Sequence, residues 1–324
     1  MKLLLLTPAP EGSLSGNRAT AERWAGLLEQ VGHQVVVATD YDPGQAAGAD
    51  LLIALHAWRS RDVVAHWRRE QPGKPVVVVL TGTDLYRYQF TEPEQTLPTM
   101  EQADRLIVLH RLAARDVPHR LQGRVSVVLQ SAEEPDAPAS PTSDHFDVCV
   151  IGHLRDEKDP LRAALAARQL PPASAVRVLQ AGRAHSEEWA QAARREMADN
   201  PRYQWLGQLD RRATRGLMAG SRVMVISSIM EGGANVVSEA CRTGLPVLAS
   251  DIPGNRGLLG EQYPGLYHVR DETALAQLLT RAENDADWLA SLAAITGGLA
   301  EDFTPRREQA ALEEAIARAI SPSG

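Results

Sequence analysis

Residues 231–250 have the sequence EGGANVVSEACRTGLPVLAS, and this stretch decides the fold. The apolar run Val223–Ser227 precedes it and predicts a buried parallel strand. Gly232 and Gly233 then predict a tight loop. Because Gly244 is suited to ending a helix, a helix is expected before it and a further strand after it.

The helix expected after the glycine loop runs from about Ala234 to Arg242, and its first backbone N–H groups are bare. Such a helix start beside a glycine loop is a ready-made phosphate site. Glu231 precedes the loop, and Glu239 lies inside the helix. Glu231 can accept hydrogen bonds from sugar hydroxyls, while Glu239 can reach back to a ribose diol. An ordinary βαβ unit with two surface glutamates is the alternative interpretation.

Length and composition describe an ordinary globular chain. Its length of 324 residues favours two domains. Its content of 44% hydrophobic and 23% charged residues is typical of globular proteins. The formal net charge of −7 provides no basic field, so no nucleic-acid partner is expected. Cys149 and Cys241 each lie in a predicted core element and are expected to be reduced.

The N-terminal apolar run ends at Thr7–Pro10, which is too short for a signal segment or a spanning helix. We therefore expect a cytoplasmic protein without a membrane partner. The D-x-D pattern at Asp285 begins a peripheral helix and is interpreted as capping. The histidines lack metal-ligand spacing, so neither a metal nor a cofactor is expected.

Apolar runs alternate with helical patterns along the chain, which is typical of α/β domains with parallel sheets. A proline- and serine-rich stretch, Pro135–Asp144, lacks periodicity and predicts a linker. The expected domains are residues 1–135, a linker at 136–145, a second domain at 146–303 and a final helix at 304–324. The expected strands are Lys2–Thr7, Gln34–Ala38, Leu51–Leu55, Pro75–Leu80, Arg105–Leu109, Val125–Leu129, Phe146–Gly152, Val176–Gln180, Tyr203–Leu206, Arg222–Ile226, Leu245–Ala249 and Leu266–Val269.

Unusual polar residues of the first domain follow its predicted strands, where α/β sheets bind ligands. His56 is either an acceptor-site ligand or base, or a histidine held by backbone at a strand end. Arg18 and Arg59 either bind an anion or are solvated residues at helix starts. The Thr81–Asp84 turn either lines the site or is an Asp-capped turn without chemistry. The acceptor-side candidates are Arg18, His56, Arg59, Thr81, Gly82, Thr83 and Asp84.

The glycine stretch resembles the donor site of retaining glycosyltransferases of family 4, whose signature is E-x7-E followed by A-x-x-G-x-P-V. Glu231, Glu239 and the run Ala240–Val247 carry the resemblance. It implies an α/β protein of GT-B architecture, with two Rossmann-like domains whose parallel sheets face each other across a cleft. It further implies a last helix that crosses back to the first domain. The donor-binding residues that it implies are Gly16, Asn17, His153, Gly232, Gly233, Ala234, Asn235, Val236 and Glu239.

The run Gly152–Pro160 resembles the family's G-R-L-x-x-x-K-G loop, whose arginine and lysine bind the donor diphosphate. Lys158 matches the lysine, but His153 stands where the family has arginine. Arg155 can supply the missing guanidinium, while His153 can equally be a capping or packing residue. Fixed positive charge stabilises the anionic leaving group. The resemblance and this argument make Lys158, Arg155 and Glu231 the catalytic candidates.

Three runs together resemble the selenosugar synthases of selenoneine biosynthesis: TGTDLY from Thr81, GHLRDEKDP from Gly152 and EGGANVVSEA from Glu231. The resemblance implies a UDP-sugar donor, typically UDP-N-acetylglucosamine, and selenophosphate as the nucleophile. A selenium nucleophile is mostly ionised near neutral pH and needs little help from a general base. Two alternatives stay open. One is a generic family 4 transferase with a sugar or small-alcohol acceptor, and the other is a nucleotide-sugar-binding protein without catalysis.

Overall fold

The computed structural model describes residues 1–13, 15–134 and 144–321. The predicted linker at 136–145 lies outside the described residues except for Asp144 and His145. The chain forms two compact units. The first unit comprises Met1–Ser131, Glu231–Asn235 and Pro305–Gly324, and the second unit comprises Ala132–Met230 and Val236–Thr304.

Each unit contains a six-stranded parallel sheet. The strand order is β2-β1-β3-β4-β5-β6 in the first unit and β12-β11-β10-β7-β8-β9 in the second. The strands are β1 (Lys2–Leu6), β2 (Gln34–Ala38), β3 (Leu51–Leu55), β4 (Val76–Leu80), β5 (Arg105–Val108), β6 (Val125–Val127), β7 (Phe146–Ile151), β8 (Val176–Ala181), β9 (Tyr203–Trp205), β10 (Val223–Ile226), β11 (Val247–Ser250) and β12 (Leu266–Tyr267).

Helices connect most of these strands, as parallel pairing requires. The α-helices are α1 (Gly16–Gln30), α2 (Pro43–Gly48), α3 (Arg61–Glu70), α4 (Gln89–Thr91), α5 (Pro93–Glu101), α6 (Arg162–Arg168), α7 (Glu187–Asp199), α8 (Arg211–Gly220), α9 (Asn235–Thr243), α10 (Pro253–Leu259), α11 (Glu272–Asn284), α12 (Ala286–Gly298) and α13 (Pro305–Ile320).

The first sheet is covered on both faces, because successive residues of a strand point to opposite sides. Leu4 belongs to a buried cluster with Trp67 of α3. Leu5, the next residue, belongs to the opposite cluster with Trp24 of α1 and Leu312 of α13. The last helix of the chain thus completes the core of the first unit.

The stop predicted at Gly244 is confirmed. α9 ends at Thr243, and Gly244 has a left-handed φ of 65°. The Leu245 N–H then bonds the Ala240 carbonyl at 2.9 Å, in the pattern of a Schellman cap. This cap holds Leu245 in the turn, so β11 begins at Val247 rather than at Leu245 as expected.

The structure also places the two cysteines and Asp285. Cys149 and Cys241 are both buried thiols and do not form a disulfide with each other. Asp285 caps α12, since its Oδ1 accepts from the Trp288 N–H at 2.9 Å. In the part of the chain that the structure describes, every helix is too short or too polar to cross a membrane.

Candidate active site

The turn after β4 is built around the Asp84 carboxylate, which is fully buried. Its Oδ1 accepts from the N–H groups of Thr81 and Gly82, both at 2.9 Å. Its Oδ2 accepts from the N–H of Ala57, after β3, at 2.9 Å. The carboxylate therefore ties together the ends of two neighbouring strands, and its hydrogen-bonding capacity is committed to the backbone.

His56 follows β3 in a left-handed conformation with φ of 73°, and 2% of it is exposed. The Arg59 N–H donates to Nδ1 at 3.3 Å, so in the neutral ring the proton lies on Nε2 and is shared with Thr83 Oγ1 at 2.9 Å. Burial lowers the pKa of His56, while the negative charge of Asp84 opposes that shift. His56 is thus a neutral imidazole with both nitrogens engaged.

The glycine loop at Glu231–Asn235 groups with the first unit and packs against the Asp84 turn. A Cβ on Gly82 would lie 2.8 Å from the Gly232 nitrogen, and a Cβ on Gly232 would lie 2.3 Å from the Thr81 carbonyl carbon. Two stretches of backbone therefore touch directly, which excludes side chains at both glycines. Glu231, at the start of the loop, is buried with 9% exposure.

The amino end of α1 contains three more of the predicted residues. Ser15 caps the helix by accepting from the Arg18 N–H, and Gly16 and Asn17 form its first turn. The Arg18 side chain is largely buried, and its Nε donates to Glu22 at 2.6 Å. Arg59, in contrast, is exposed.

An aromatic pair beside His56 was not expected from the sequence. Trp58 stacks on Tyr88 with ring centroids 4.6 Å apart, and the Arg61 guanidinium lies 4.9 Å from the Trp58 centroid. Tyr88 also lies 5.8 Å from the His56 ring. Its segment, Asp84–Tyr88, is π-helical, a conformation that is frequent at functional sites.

A second polar group that the sequence did not indicate involves Tyr86, His110 and Asp116. The Tyr86 hydroxyl donates to Asp116 at 3.1 Å and lies 2.7 Å from His110 Nε2. Burial lowers the pKa of His110 to about 4. Burial and Asp116 raise the pKa of Tyr86. Both shifts keep His110 and Tyr86 neutral at neutral pH, and their contact joins the π-helical turn to the end of β5.

In the second unit, the predicted cationic loop follows β7 and is attached to the end of β10. The Lys158 N–H donates to the Arg155 carbonyl at 3.0 Å. The Ser227 hydroxyl, just after β10, lies 3.1 Å from the Lys158 carbonyl oxygen, and the Ile229 N–H donates to the Glu157 carbonyl at 2.9 Å. Lys158 and Arg155 are half-buried, with Glu157 3.9 Å from the Arg155 guanidinium.

His153 opens that loop and lies beside a second histidine. Its ring centroid is 5.0 Å from that of His185, in the loop after β8. The backbone holds the two loops together, because the Leu154 N–H donates to the Arg183 carbonyl and the His185 N–H to the Leu154 carbonyl, both at 3.0 Å. His153, Arg155 and Lys158 therefore gather at the carboxyl edge of the second sheet.

The helix after the glycine loop contains the remaining donor-side candidates. Asn235 is its first residue, Val236 and Glu239 are half-buried, and Ala234 is buried just before it. Among the described residues, no group of three or more His, Cys, Asp or Glu side chains is placed to hold a metal ion.

Solved structures similar to this chain extend over its whole length. Anabaena HepE in complex with UDP matches with a TM-score of 0.80 at 18% identity, over 98% of this chain and 100% of HepE. The sucrose-phosphate synthase of Thermosynechococcus elongatus matches with a TM-score of 0.76 at 16% identity, over 100% of both chains. Likeness at such identities establishes the fold, and the predicted GT-B architecture of two Rossmann-like domains is confirmed.

The sequence itself also has relatives. TuaC of Bacillus subtilis strain 168, named as a teichuronic acid biosynthesis glycosyltransferase, is 30% identical over 82 residues. That match spans 25% of this chain and 21% of TuaC. The family described as Glycosyl transferases group 1 matches residues 101–295. This match covers more than half of the 324 residues, including the cationic loop and the glycine stretch, and the chain therefore belongs to the group 1 glycosyltransferases.

Proposed function

We propose that this chain transfers a sugar from a UDP-sugar, UDP-N-acetylglucosamine, to selenophosphate in selenoneine biosynthesis. The selenium attacks the anomeric carbon, the bond from that carbon to the UDP oxygen breaks, and its electron pair leaves with UDP. Water then cleaves the selenium–phosphorus bond, which releases phosphate and the 1-seleno-sugar. Membership of the family supports the reaction class, and the UDP bound in the HepE structure supports the donor class.

The donor diphosphate is assigned to the loop after β7. Lys158 and Arg155 supply fixed positive charge to the leaving UDP, with His153 as a further ligand. Glu239 binds the ribose, and Glu231 binds hydroxyls of the transferred sugar. Because two cations of the protein then do the electrostatic work of a metal ion, activity should survive EDTA unchanged.

One observation carries the choice of acceptor: Asp84 and His56, the two candidate bases after β3 and β4, are already engaged. Asp84 accepts from backbone N–H groups, and both nitrogens of His56 have partners. An alcohol acceptor needs a base to take its proton, whereas selenophosphate arrives ionised. The exposed Arg59 is the cation assigned to this anion, and Arg18, which Glu22 already pairs, is the weaker candidate.

Transfer to a neutral sugar or small alcohol is the second candidate function. The stack of Trp58 on Tyr88, beside His56, favours it, because sugar acceptors commonly bind against aromatic faces. The two candidates differ in the chemistry of the nucleophile, so a choice of acceptors separates them.

The test is UDP release from UDP-N-acetylglucosamine with selenophosphate, with orthophosphate as the matched anion, and with a panel of neutral sugars. Release that requires selenophosphate is the expected result. A faster release with a neutral sugar would replace the proposal by the second candidate. Tight UDP binding without release under any acceptor would instead identify a nucleotide-sugar-binding protein.

A further inference from the structure

Gln130 is a buried amide in the first unit, three residues after the end of β6 at Val127, and 3% of it is exposed. The sequence pattern did not single it out. Its amide lies between the amino end of α1 and the glycine loop, two segments that the sequence does predict to be functional.

The orientation of this amide is fixed by Thr20 of α1. The Thr20 hydroxyl donates to the Gly16 carbonyl at 2.8 Å, so its oxygen is left to accept. Gln130 Nε2 donates to that oxygen at 2.5 Å. A flip of the amide would make the Thr20 hydroxyl give up its bond to the Gly16 carbonyl in order to donate to the Gln130 oxygen.

The amide oxygen consequently faces the glycine loop. A Cβ on Gly233 would lie 3.0 Å from Gln130 Oε1 and 2.5 Å from the Cβ of Leu109, after β5. Gln130 Oε1 is buried and has no hydrogen-bond partner among the described residues. A buried acceptor without a donor is costly, so the position of this oxygen matters, and together with Leu109 it leaves no room for a side chain at Gly233.

We propose that Gln130 is a positioning residue for the donor-binding loop, an inference that rests on the proposed function. Thr20 holds the amide, the amide oxygen sets how closely Gly233 approaches the end of β5, and the loop in turn places Glu231. Gln130 acts through the loop and not on the acceptor. Its loss should therefore weaken UDP-sugar binding and leave the selenophosphate KM unchanged.

Thr20→Val provides the sharpest test, because Thr20 bonds Gln130 and Gly16 but not the loop. We expect Gln130→Met and Thr20→Val each to weaken UDP-N-acetylglucosamine binding by about tenfold, as expected for coupled neighbours. The double variant should bind no more weakly than Gln130→Met alone. Calorimetry with UDP-N-acetylglucosamine measures all three.

Thr99→Val is the matched control. Thr99 is also buried, with 2% exposed, and its hydroxyl donates to the Gln95 carbonyl one helical turn back. The Thr20 hydroxyl makes the same kind of bond to the Gly16 carbonyl. The two threonine variants should lower the Tm similarly, but Thr99→Val should keep wild-type affinity for the UDP-sugar. Additive losses in the double variant, or equal losses of affinity in both threonine variants, would overturn the inference.

Failure of the proposed function gives a different result. If the wild-type protein does not bind UDP-N-acetylglucosamine, the donor assignment is wrong, and the inference is wrong with it. If the wild-type protein binds and the Gln130→Met protein binds equally well, only the inference is wrong.

Discussion

Lys158 is the residue whose loss should slow the reaction most, because it is the lysine of the second unit and lies in the loop after β7. We expect Lys158→Ala to lower kcat by at least about 100-fold, the scale of losing one preorganised donor to developing negative charge. Steady-state UDP release measures it. Lys2→Ala, at the exposed start of β1, is the control and should keep wild-type turnover. A folded Lys158→Ala protein with normal turnover would refute the assignment.

Glu231 and Glu239, the two glutamates of the signature, should affect the binding of different parts of the donor. Glu239→Ala should weaken UDP binding about tenfold or more, because a carboxylate that holds the ribose makes charge-assisted hydrogen bonds. Glu231→Ala should spare UDP affinity and impair use of the complete donor, because this carboxylate is assigned to the sugar. Calorimetry with UDP, together with kcat/KM for the UDP-sugar, decides between them. Equal losses of UDP affinity would show that the two roles are not divided in this way.

At the scale of elements, the π-helical turn Asp84–Tyr88 is joined to the end of β5 through His110. Burial holds the pKa of His110 near 4, below its unfolded value of 6.5. As the pH falls, His110 is therefore protonated in the unfolded chain before it is protonated in the folded protein. Stability from this group is complete above pH 6.5 and is lost progressively down to about pH 4.

His110→Gln should remove that dependence on pH. The free energy of unfolding of the wild-type protein should fall by about 3 kcal/mol more than that of the variant between pH 7 and pH 4. Urea titrations at several pH values, followed by tryptophan fluorescence, give the difference. Parallel pH profiles for the two proteins would contradict the prediction.

At the scale of the whole molecule, the first unit is assembled from three separate parts of the chain, and Glu308 of α13 joins two of them. Glu308 is 1% exposed. It accepts from Trp24 Nε1 at 2.6 Å, from the Arg23 guanidinium at 2.8 and 3.1 Å, and from the Ser131 N–H at 2.9 Å. The carboxylate thus fastens the last helix to α1 and to the segment after β6.

Glu308→Ala should lower the free energy of unfolding by about 3–5 kcal/mol, because it leaves buried donors and a cation without their partner. Glu314→Ala, on the same helix, removes an exposed ion pair with Arg318 and should cost less than about 0.5 kcal/mol. Chemical denaturation measures both. Similar stabilities for the two variants would mean that α13 is held by its apolar face alone.

The elements themselves were largely predictable because their signals are local. Every residue of the apolar run Val76–Leu80 is buried, for example, because a strand covered on both faces exposes neither set of side chains. The sequence did not indicate α5, which begins at Pro93 and contains Pro98. A proline inside a segment normally indicates that the segment is not helical. Here the packing of α5 against α3 outweighs that unfavourable effect of proline.

The candidate site was predictable where a motif lies within one short segment. The loop at Gly152–Lys158 and the stretch from Glu231 to Glu239 were recognised in this way, although the roles of their residues remain predictions. The Trp58–Tyr88 pair and the Tyr86–His110 contact were not recognised, because each joins residues from different strand ends.

The sequence by itself determined two parallel α/β sheets, the stop at Gly244 and the family, since burial patterns and short motifs are properties of neighbouring residues. Only the tertiary structure decided that Asp84 and His56 are engaged by the backbone and by Thr83, and that Gln130 faces Gly233. Gln130 meets Thr20 from 110 residues away, and Ser131 meets Glu308 from 177. Partners at such separations are chosen by the order of strands in the sheet and by which helices cover it, and no local pattern of residues encodes that choice.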